Sequence, residues 1–302
     1  MVAEFYIIAE SFSQNFNLTN TEIEAKIKSL AEDFVCIRKY KETNKLFIHY
    51  DIYNTKFINN ISISDLLNNN EIANKNLDRD VRISLKKIIL ESEGTDITTE
   101  EVKTVLLPNH NEDLCHGLIG FNTIEDVNPE FQVVYHLKGW LEFRRHYLGI
   151  YPNNAVFFID ECIKYFPNIY FHEGNKISVG AILYNCSKKI VYHLTALNDK
   201  FRDSQQAGLN RTQVLKQFSI TAKLDEIATL EGNATKKTAL TFQFKNTNST
   251  LEDVCCEPHL KLCYNDNPGD SSYSTDRRIY FHEGKETIEK GKILIGHIGD
   301  HL

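Results

Sequence analysis

Glu257-Pro-His-Leu-Lys-Leu-Cys263 and Arg277-Arg-Ile-Tyr-Phe-His282 alternate apolar and polar residues, and Leu240 to Lys245 does the same. Successive residues of a strand point to opposite faces, so each segment reads as a strand with one face on a core. Leu240, Phe242 and Phe244, then Cys256, Pro258, Leu260 and Leu262, then Ile279 and Phe281, form the apolar sets. Thr241, Gln243 and Lys245, then Glu257, His259 and Lys261, then Arg278, Tyr280 and His282, are left to a polar face. The last segment, Lys292 to Leu302, is apolar on both faces through Ile298 and is expected to be central or covered. Gly296 and Gly299 would permit a bulge that re-aims His297 and His301.

Upstream, Ile169-Tyr-Phe-His-Glu-Gly174 recurs letter for letter as Ile279-Tyr-Phe-His-Glu-Gly284, and Gly-x-Ile-Leu follows each copy at Gly180 and Gly291. Both copies read as strand, glycine turn, strand. The motif serves equally as turn chemistry or as a means of placing His172 and His282 at equivalent rims of one site. Helices are expected over Leu137 to Leu148, Asn153 to Tyr165, Ile190 to Asp203 and Arg211 to Leu230. Leu137, Trp140, Leu141 and Leu148 would form one apolar face, and Val156, Phe157, Ile159, Ile163 and Phe166 another. Nearer the start, Met1 to Ser11 reads as a strand, and a helix capped by Asn20 or Thr21 runs to about Phe34. Val35 to Arg38 pairs with Lys45 to Tyr53, Leu77 to Ser92 is helical, and Cys115 to Phe121 is a short strand after the turn Pro108 to Asp113. The fold class is α+β: an N-terminal α/β domain over 1–125, then a domain over 126–302 with helices within 137–230 and an antiparallel sheet within 238–302. The boundary is expected near Asn122 to Asn128.

The chain of 302 residues carries a formal charge of -7. That balance gives no general argument for nucleic-acid binding, so a polyanion site must be a local basic patch. No apolar run approaches the ~20 residues of a membrane span, and the first residues lack a basic segment before their apolar stretch. A cytoplasmic protein without a membrane partner is expected. Seven scattered cysteines suit reduced thiols rather than a disulfide framework.

The C-terminal polar face combines a carboxylate, imidazoles, lysines, a guanidinium and a phenol. Such a face can cleave RNA without a metal or cofactor, a base taking the ribose 2′-hydroxyl proton while cations neutralise the phosphate. His259 is the expected base, oriented by Glu257, because an imidazole titrates near neutrality. Arg278 and Lys261 would hold the phosphate, and Tyr280 would stack on a base or act as an acid. Lys245, His282, His297 and His301 are candidate substrate contacts. Polar residues are equally ordinary on any exposed strand face.

The run His259-Leu-Lys261, Arg278-Ile-Tyr-Phe281 and Lys292 to His301 resembles the closing strands of RelE-type toxin ribonucleases over about sixty residues. The resemblance implies helices on an antiparallel sheet, a messenger or transfer RNA substrate and site roles for His259, Lys261, Arg278 and Tyr280. An inhibitory or activating protein partner would accord with it. That family is small and basic, whereas this chain is acidic and ends in Asp300-His301-Leu302.

Other readings stay open. The same face could be a non-catalytic interaction module of a defence or mobile-element system. Glu101-Val-Lys103 with Asp80 or Asp96 could be part of a metal-dependent nuclease, although Thr98-Thr-Glu-Glu equally reads as a helix cap. His297 and His301 with Cys255, Cys256 or Cys263 form a weak zinc pattern that lacks a Cys-x-x-Cys pair. Cys115 and His116, adjacent in a strand, would point to opposite faces and could not act as a dyad.

Overall fold

In the computed structural model, which describes residues 1–13, 18–134, 139–266 and 273–302, the chain is mixed α+β and divides into two compact units, Met1–Arg144 and Arg145–Leu302. The division falls within helix α3 (Gly139–Ile150), and the loop 122–128 lies inside the first unit. The start expected for this helix, Leu137, lies outside the described residues. Among the described residues no helix is long and apolar enough to cross a membrane.

The first unit is built on five parallel strands: β1 (Val2–Ile7), β2 (Asn44–His49), β3 (Glu93–Thr95), β4 (Leu114–Gly120) and β5 (Gln132–Val134). Their spatial order is β3-β2-β1-β4-β5, that of a doubly wound sheet. A parallel sheet is covered on both faces, which is why Phe5, Tyr6, Ile7 and Ile8 are all buried in succession. β1 ends at Ile7, and Ala9–Phe12 is a helical turn, so the strand is shorter than Met1 to Ser11.

Helix α1 (Asn20–Lys39) starts at Thr19, not Asn20 or Thr21: Thr19 accepts from the Glu22 amide while the Glu22 carboxylate accepts from the Thr19 amide. It runs on through Val35 to Arg38, where a strand was expected. The buried stripe Ile23, Ile27, Leu30, Phe34, Ile37 keeps helical spacing past Phe34, and Val35 faces solvent. β2 therefore pairs in parallel with β1 and not in a hairpin, and Tyr50–Asn54 turns into a 3₁₀ helix. Helix α2 (Arg79–Leu90) buries Val81, Leu85, Ile88 and Ile89 as the spacing predicts. Asn44 joins the pieces: its amide donates to the Ile37 and Tyr40 carbonyls, and its Oδ1 accepts from Arg144 Nη2 (2.5 Å) and Trp140 Nε1 (3.4 Å).

The second unit contains helices α4 (Ala155–Tyr165), α5 (Asn175–Ser178), α6 (Leu183–Lys200) and α7 (Arg211–Ala222). Its strands are β6 (Ile169–Phe171), β7 (Thr229–Leu230), β8 (Thr241–Lys245), β9 (Leu251–Cys255), β10 (Pro258–Cys263), β11 (Tyr273–His282) and β12 (Ile293–Asp300). The main sheet has the order β6-β12-β11-β10-β7 and is antiparallel except for the β6/β12 pair. Helix α4 turns Phe158, Ile159, Cys162 and Tyr165 inward and leaves Val156 and Ile163 exposed, against the expected face; being apolar almost all round, its sequence does not define one stripe. α7 stops at Ala222, and Thr229–Leu230 leaves the expected helix to pair with β10.

The two identical hexapeptides diverge after their glycines. Gly284 has φ +117 and opens the connection between β11 and β12, as a hairpin requires, whereas Gly174 is right-handed and opens α5, so the first copy is no hairpin. The next residue decides. Asn175 is buried and donates to the His172 (2.9 Å) and Ile295 (3.0 Å) carbonyls, while Lys285 reaches outward to Glu252 (2.7 Å).

One face of the main sheet packs on helices, with Phe281 edge-on to Phe201. The other, read from the sequence as exposed, is partly covered. β8 and β9 form a separate two-stranded hairpin, so Thr241, Gln243 and Lys245 do not extend the main sheet. Leu240, Phe244 and Val254 pack instead with Tyr280, Leu294 and Cys256. Phe242 and Cys256 come so close to Gly296 that a Cβ there would overlap the Phe242 ring and lie 2.9 Å from Cys256 Sγ. Gly296→Ala is expected to destabilise the protein by about 1–3 kcal/mol in urea unfolding. Gly94→Ala, where a Cβ meets nothing within 4 Å, should stay within about 0.5 kcal/mol.

Candidate functional site on the second sheet

Strand register brings His259, Tyr280 and His297 into one row across β10, β11 and β12, and Lys261, Arg278 and Gly299 into the next row on the same face. The row depends on a bulge in β12: Tyr280 pairs with His297 but Phe281 pairs with Ile295, so Gly296 is the extra residue. His297 then folds back, its Nε2 2.8 Å from the Asp300 carbonyl, over Gly299, whose missing Cβ would lie 2.9 Å from that nitrogen. Gly296 is the bulge and re-aims His297, whereas Gly299 pairs regularly with Arg278 and is not part of a bulge.

Beyond the row stands His301. Its Nδ1 lies 3.0 Å from Tyr280 Oη, 3.2 Å from Lys236 Nζ and 2.8 Å from the Leu302 carbonyl, while Nε2 faces Glu231 Oε2 at 3.9 Å. Tyr280 is fully buried, and burial followed by the Glu231 charge pushes its phenol up to about 12. The phenol therefore stays protonated at neutral pH, donating to His301 Nδ1 when that nitrogen is bare and accepting from it when it carries the imidazole proton.

His259 is not placed as a base. It is 7% exposed, its Nε2 lies 3.0 Å from Thr229 Oγ1, and its ring centroid is 5.3 Å from that of Tyr280. Burial, reinforced by the Arg278 guanidinium, lowers its pKa to about 4, which leaves a neutral and weakly basic imidazole. Glu257 does not orient it through its carboxylate: the Nδ1 approach, 3.5 Å, is to the Glu257 carbonyl. The carboxylate instead binds Arg211 (3.2 Å) and Lys237 (3.3 Å).

The remaining candidates are dispersed. Lys261 pairs with Glu226 at 3.4 Å, and Lys245 is exposed at the end of the β8–β9 hairpin. His282 lies on the same face as Tyr280 but is held in its own turn, Nδ1 accepting from the Gly284 amide at 3.0 Å and Nε2 3.9 Å from Glu283. His172 repeats that turn with the Gly174 amide at 3.2 Å and packs on Phe242 and Phe244. Four contributors were not singled out from sequence: Thr229, Glu231, Lys236 and Arg211. Alternation in Thr229-Leu-Glu231 is the one local signal, and the apolar-polar run of α7 masked it.

The alternative sites take ordinary structural roles. Glu101 closes a capping box with Thr98, and Lys103 pairs with Glu10 (3.2 Å) and Asp126 (2.6 Å). Cys115 and His116 are both buried in β4. Among the described residues no three His, Cys, Asp or Glu side chains converge as a metal site. Comparison with protein-family models, curated proteins and solved structures gave no match.

His259, and His193, which burial holds at about 3, stay neutral when folded down to far below the ordinary value of 6.5. The unfolded chain therefore binds more protons than the folded one below about pH 6.5. This contribution to stability is intact above that pH and is lost as pH falls toward 4. His259→Gln should flatten the decline in melting temperature between pH 7 and 4, removing on the order of 2–3 kcal/mol of acid destabilisation in calorimetry. An unchanged pH profile would show that His259 is accessible and protonated in the folded state.

Proposed function

We propose that the face formed by β10, β11 and β12 is a metal-independent acid–base site that cleaves an RNA phosphodiester, with His301 and not His259 as its proton-transfer group. The observation that carries this reading is the engagement of His301 Nδ1 by Tyr280 Oη at 3.0 Å, which aims Nε2 toward the Glu231 side. In this scheme His301 carries its proton on Nδ1, donated to the Leu302 carbonyl at 2.8 Å, and the bare Nε2 takes the 2′-hydroxyl proton as that oxygen attacks phosphorus. The bond to the 5′-oxygen breaks, and that oxygen takes its proton from the Lys236 ammonium. His301 Nδ1, 3.2 Å from Lys236 Nζ, returns its proton to the amine, and exchange with solvent converts the resulting Nε2–H imidazole back to the Nδ1–H form; the products are a 2′,3′-cyclic phosphate and a 5′-hydroxyl. Arg278 stabilises charge on the phosphate. Tyr280 positions the reacting imidazole. The resemblance to RelE-type ribonucleases supports the same substrate class, with the roles redistributed.

A second reading, a face that binds RNA or a regulatory protein without turnover, is favoured by the full burial of Tyr280 and the near-full burial of His259 and Arg278. Incubation of the full chain with labelled RNA and DNA, with and without EDTA, separates the two. RNA cleavage should survive EDTA and fall by about 10²–10⁴ in His301→Ala. His259→Gln should retain most of it. Retained RNA affinity without cleavage selects the binding face, and cleavage abolished by EDTA overturns the metal-independent scheme.

A further inference from the structure

A basic basin lies in the second unit where β12 begins, at the other end of that strand from His301 and roughly 25 Å from it by the rise of a strand. Its volume is about 480 Å³, and Arg202, Lys290 and Lys292 line it together with Asn168, Thr247 and Glu289. Three cations thus face one carboxylate, in a chain whose formal charge of -7 repels anions as a whole. The carboxylate is already committed, because Glu289 lies 3.4 Å from Lys292. Arg202 and Lys290 have no acidic partner among the described residues. Arg202 is nevertheless fixed: its Nη2 donates to the Gly291 carbonyl at 3.0 Å, which leaves its other N–H groups open to solvent. A cation beyond the last turn of α6 is ordinary, but one anchored through a neutral carbonyl of another loop keeps its charge uncompensated.

The backbone that presents Lys290 points the same way independently. Glu289 (φ +44) and Lys290 (φ +55) are successive non-glycine residues in the left-handed region, ahead of Gly291 at φ +78. That conformation is costly for L side chains and persists where neighbours over-determine it, as they do at ligand clamps. Here the Gly291 amide donates to the Lys285 (3.1 Å) and Ile288 (3.0 Å) carbonyls, and the Lys292 amide donates to the Glu289 carbonyl at 3.3 Å. Gly284 permits the closure, since a Cβ on it would overlap the Gly291 carbonyl oxygen. The Thr247 amide donates to the Thr287 carbonyl at 2.9 Å and brings Thr247 to the rim. Folding alone would be served better by glycine at position 290, so the lysine there has a use for its side chain.

We propose that this basin binds a phosphate monoester, with the Arg202 guanidinium forking onto two of its oxygens, Lys290 and Lys292 supplying point charges and Thr247 a hydroxyl donor. Three positive charges less one negative leave a surplus of two, which matches a monoester dianion. A phosphodiester strand calls for cations spaced along a groove, whereas these converge on one hollow. The end of an RNA strand and a small phosphorylated molecule both present the required group.

Isothermal titration of the full chain at physiological ionic strength tests this. The probes are adenosine 5′-monophosphate, adenosine, and a 2′-O-methyl RNA oligonucleotide bearing either a 5′-phosphate or a 5′-hydroxyl, which cannot be cleaved through its 2′-oxygens. At least one phosphorylated probe should bind roughly tenfold or more tightly than its unphosphorylated counterpart. A preference for the monophosphate over adenosine assigns the basin to small molecules, and a preference shown by the oligonucleotide pair alone assigns it to RNA ends. Lys290→Gly should lose roughly tenfold in affinity while the melting temperature holds or rises, because glycine adopts the same turn without strain. Arg202→Gln, at an exposed position, should lose a comparable amount. Absence of a phosphate preference in both pairs, or a preference that survives either variant, would overturn the proposal.

Discussion

One inserted residue in β12 organises the second unit. Were Gly296 paired with Tyr280 instead of bulged, the register that pairs Phe281 with Ile295 would continue unbroken, and His297 would lie on the helix-packed face with Phe281 and Ile279. The insertion instead turns His297 onto the row of His259 and Tyr280. The same residue, having no side chain, admits the Phe242 ring and Cys256 Sγ against the sheet. Placement of the polar row and docking of the β8–β9 hairpin are thus two results of a single backbone irregularity.

Covering that face changes the electrostatics of what it carries. An imidazole taken out of water loses its charged form, as His259 does, and a phenol taken out of water keeps its proton, as Tyr280 does. Groups that would be interchangeable acids and bases on an open strand become fixed donors and acceptors. The titratable groups that keep contact with solvent are those at the partly exposed margin, where His301, Lys236 and Glu231 meet.

The α+β class, the strands β10 to β12, the bulge and the inward sets Leu260, Leu262, Ile279 and Phe281 were legible because alternation reports which residues share a face. It does not report what covers that face. Leu251–Cys255 was missed because the strand is short and carries acidic residues, and with it went the hairpin that buries Tyr280. In the first unit, the apolar run Val35-Cys-Ile37 looked like a strand because a four-residue window cannot distinguish strand from helix. Repeated hexapeptides suggested repeated hairpins, yet a buried Asn175 against an outward Lys285 sent them apart. Of the candidate-site residues, those on the alternating strands could be read from the pattern. Glu231 and Lys236 reach the site only through the tertiary path of the chain after α7, for which periodicity carries no signal.

The parallel sheet of the first unit also sets an order of events. β1 precedes both of its neighbours, and its partners lie at Asn44–His49 on one side and Leu114–Gly120 on the other. During synthesis its first edge can be satisfied early, but the second stays open until β4 has emerged. Long sequence separation makes that pairing slow, and an unpaired apolar edge is a site for pairing with other chains. The strand at the centre of the finished sheet is thus the one whose second edge waits longest for its partner during assembly.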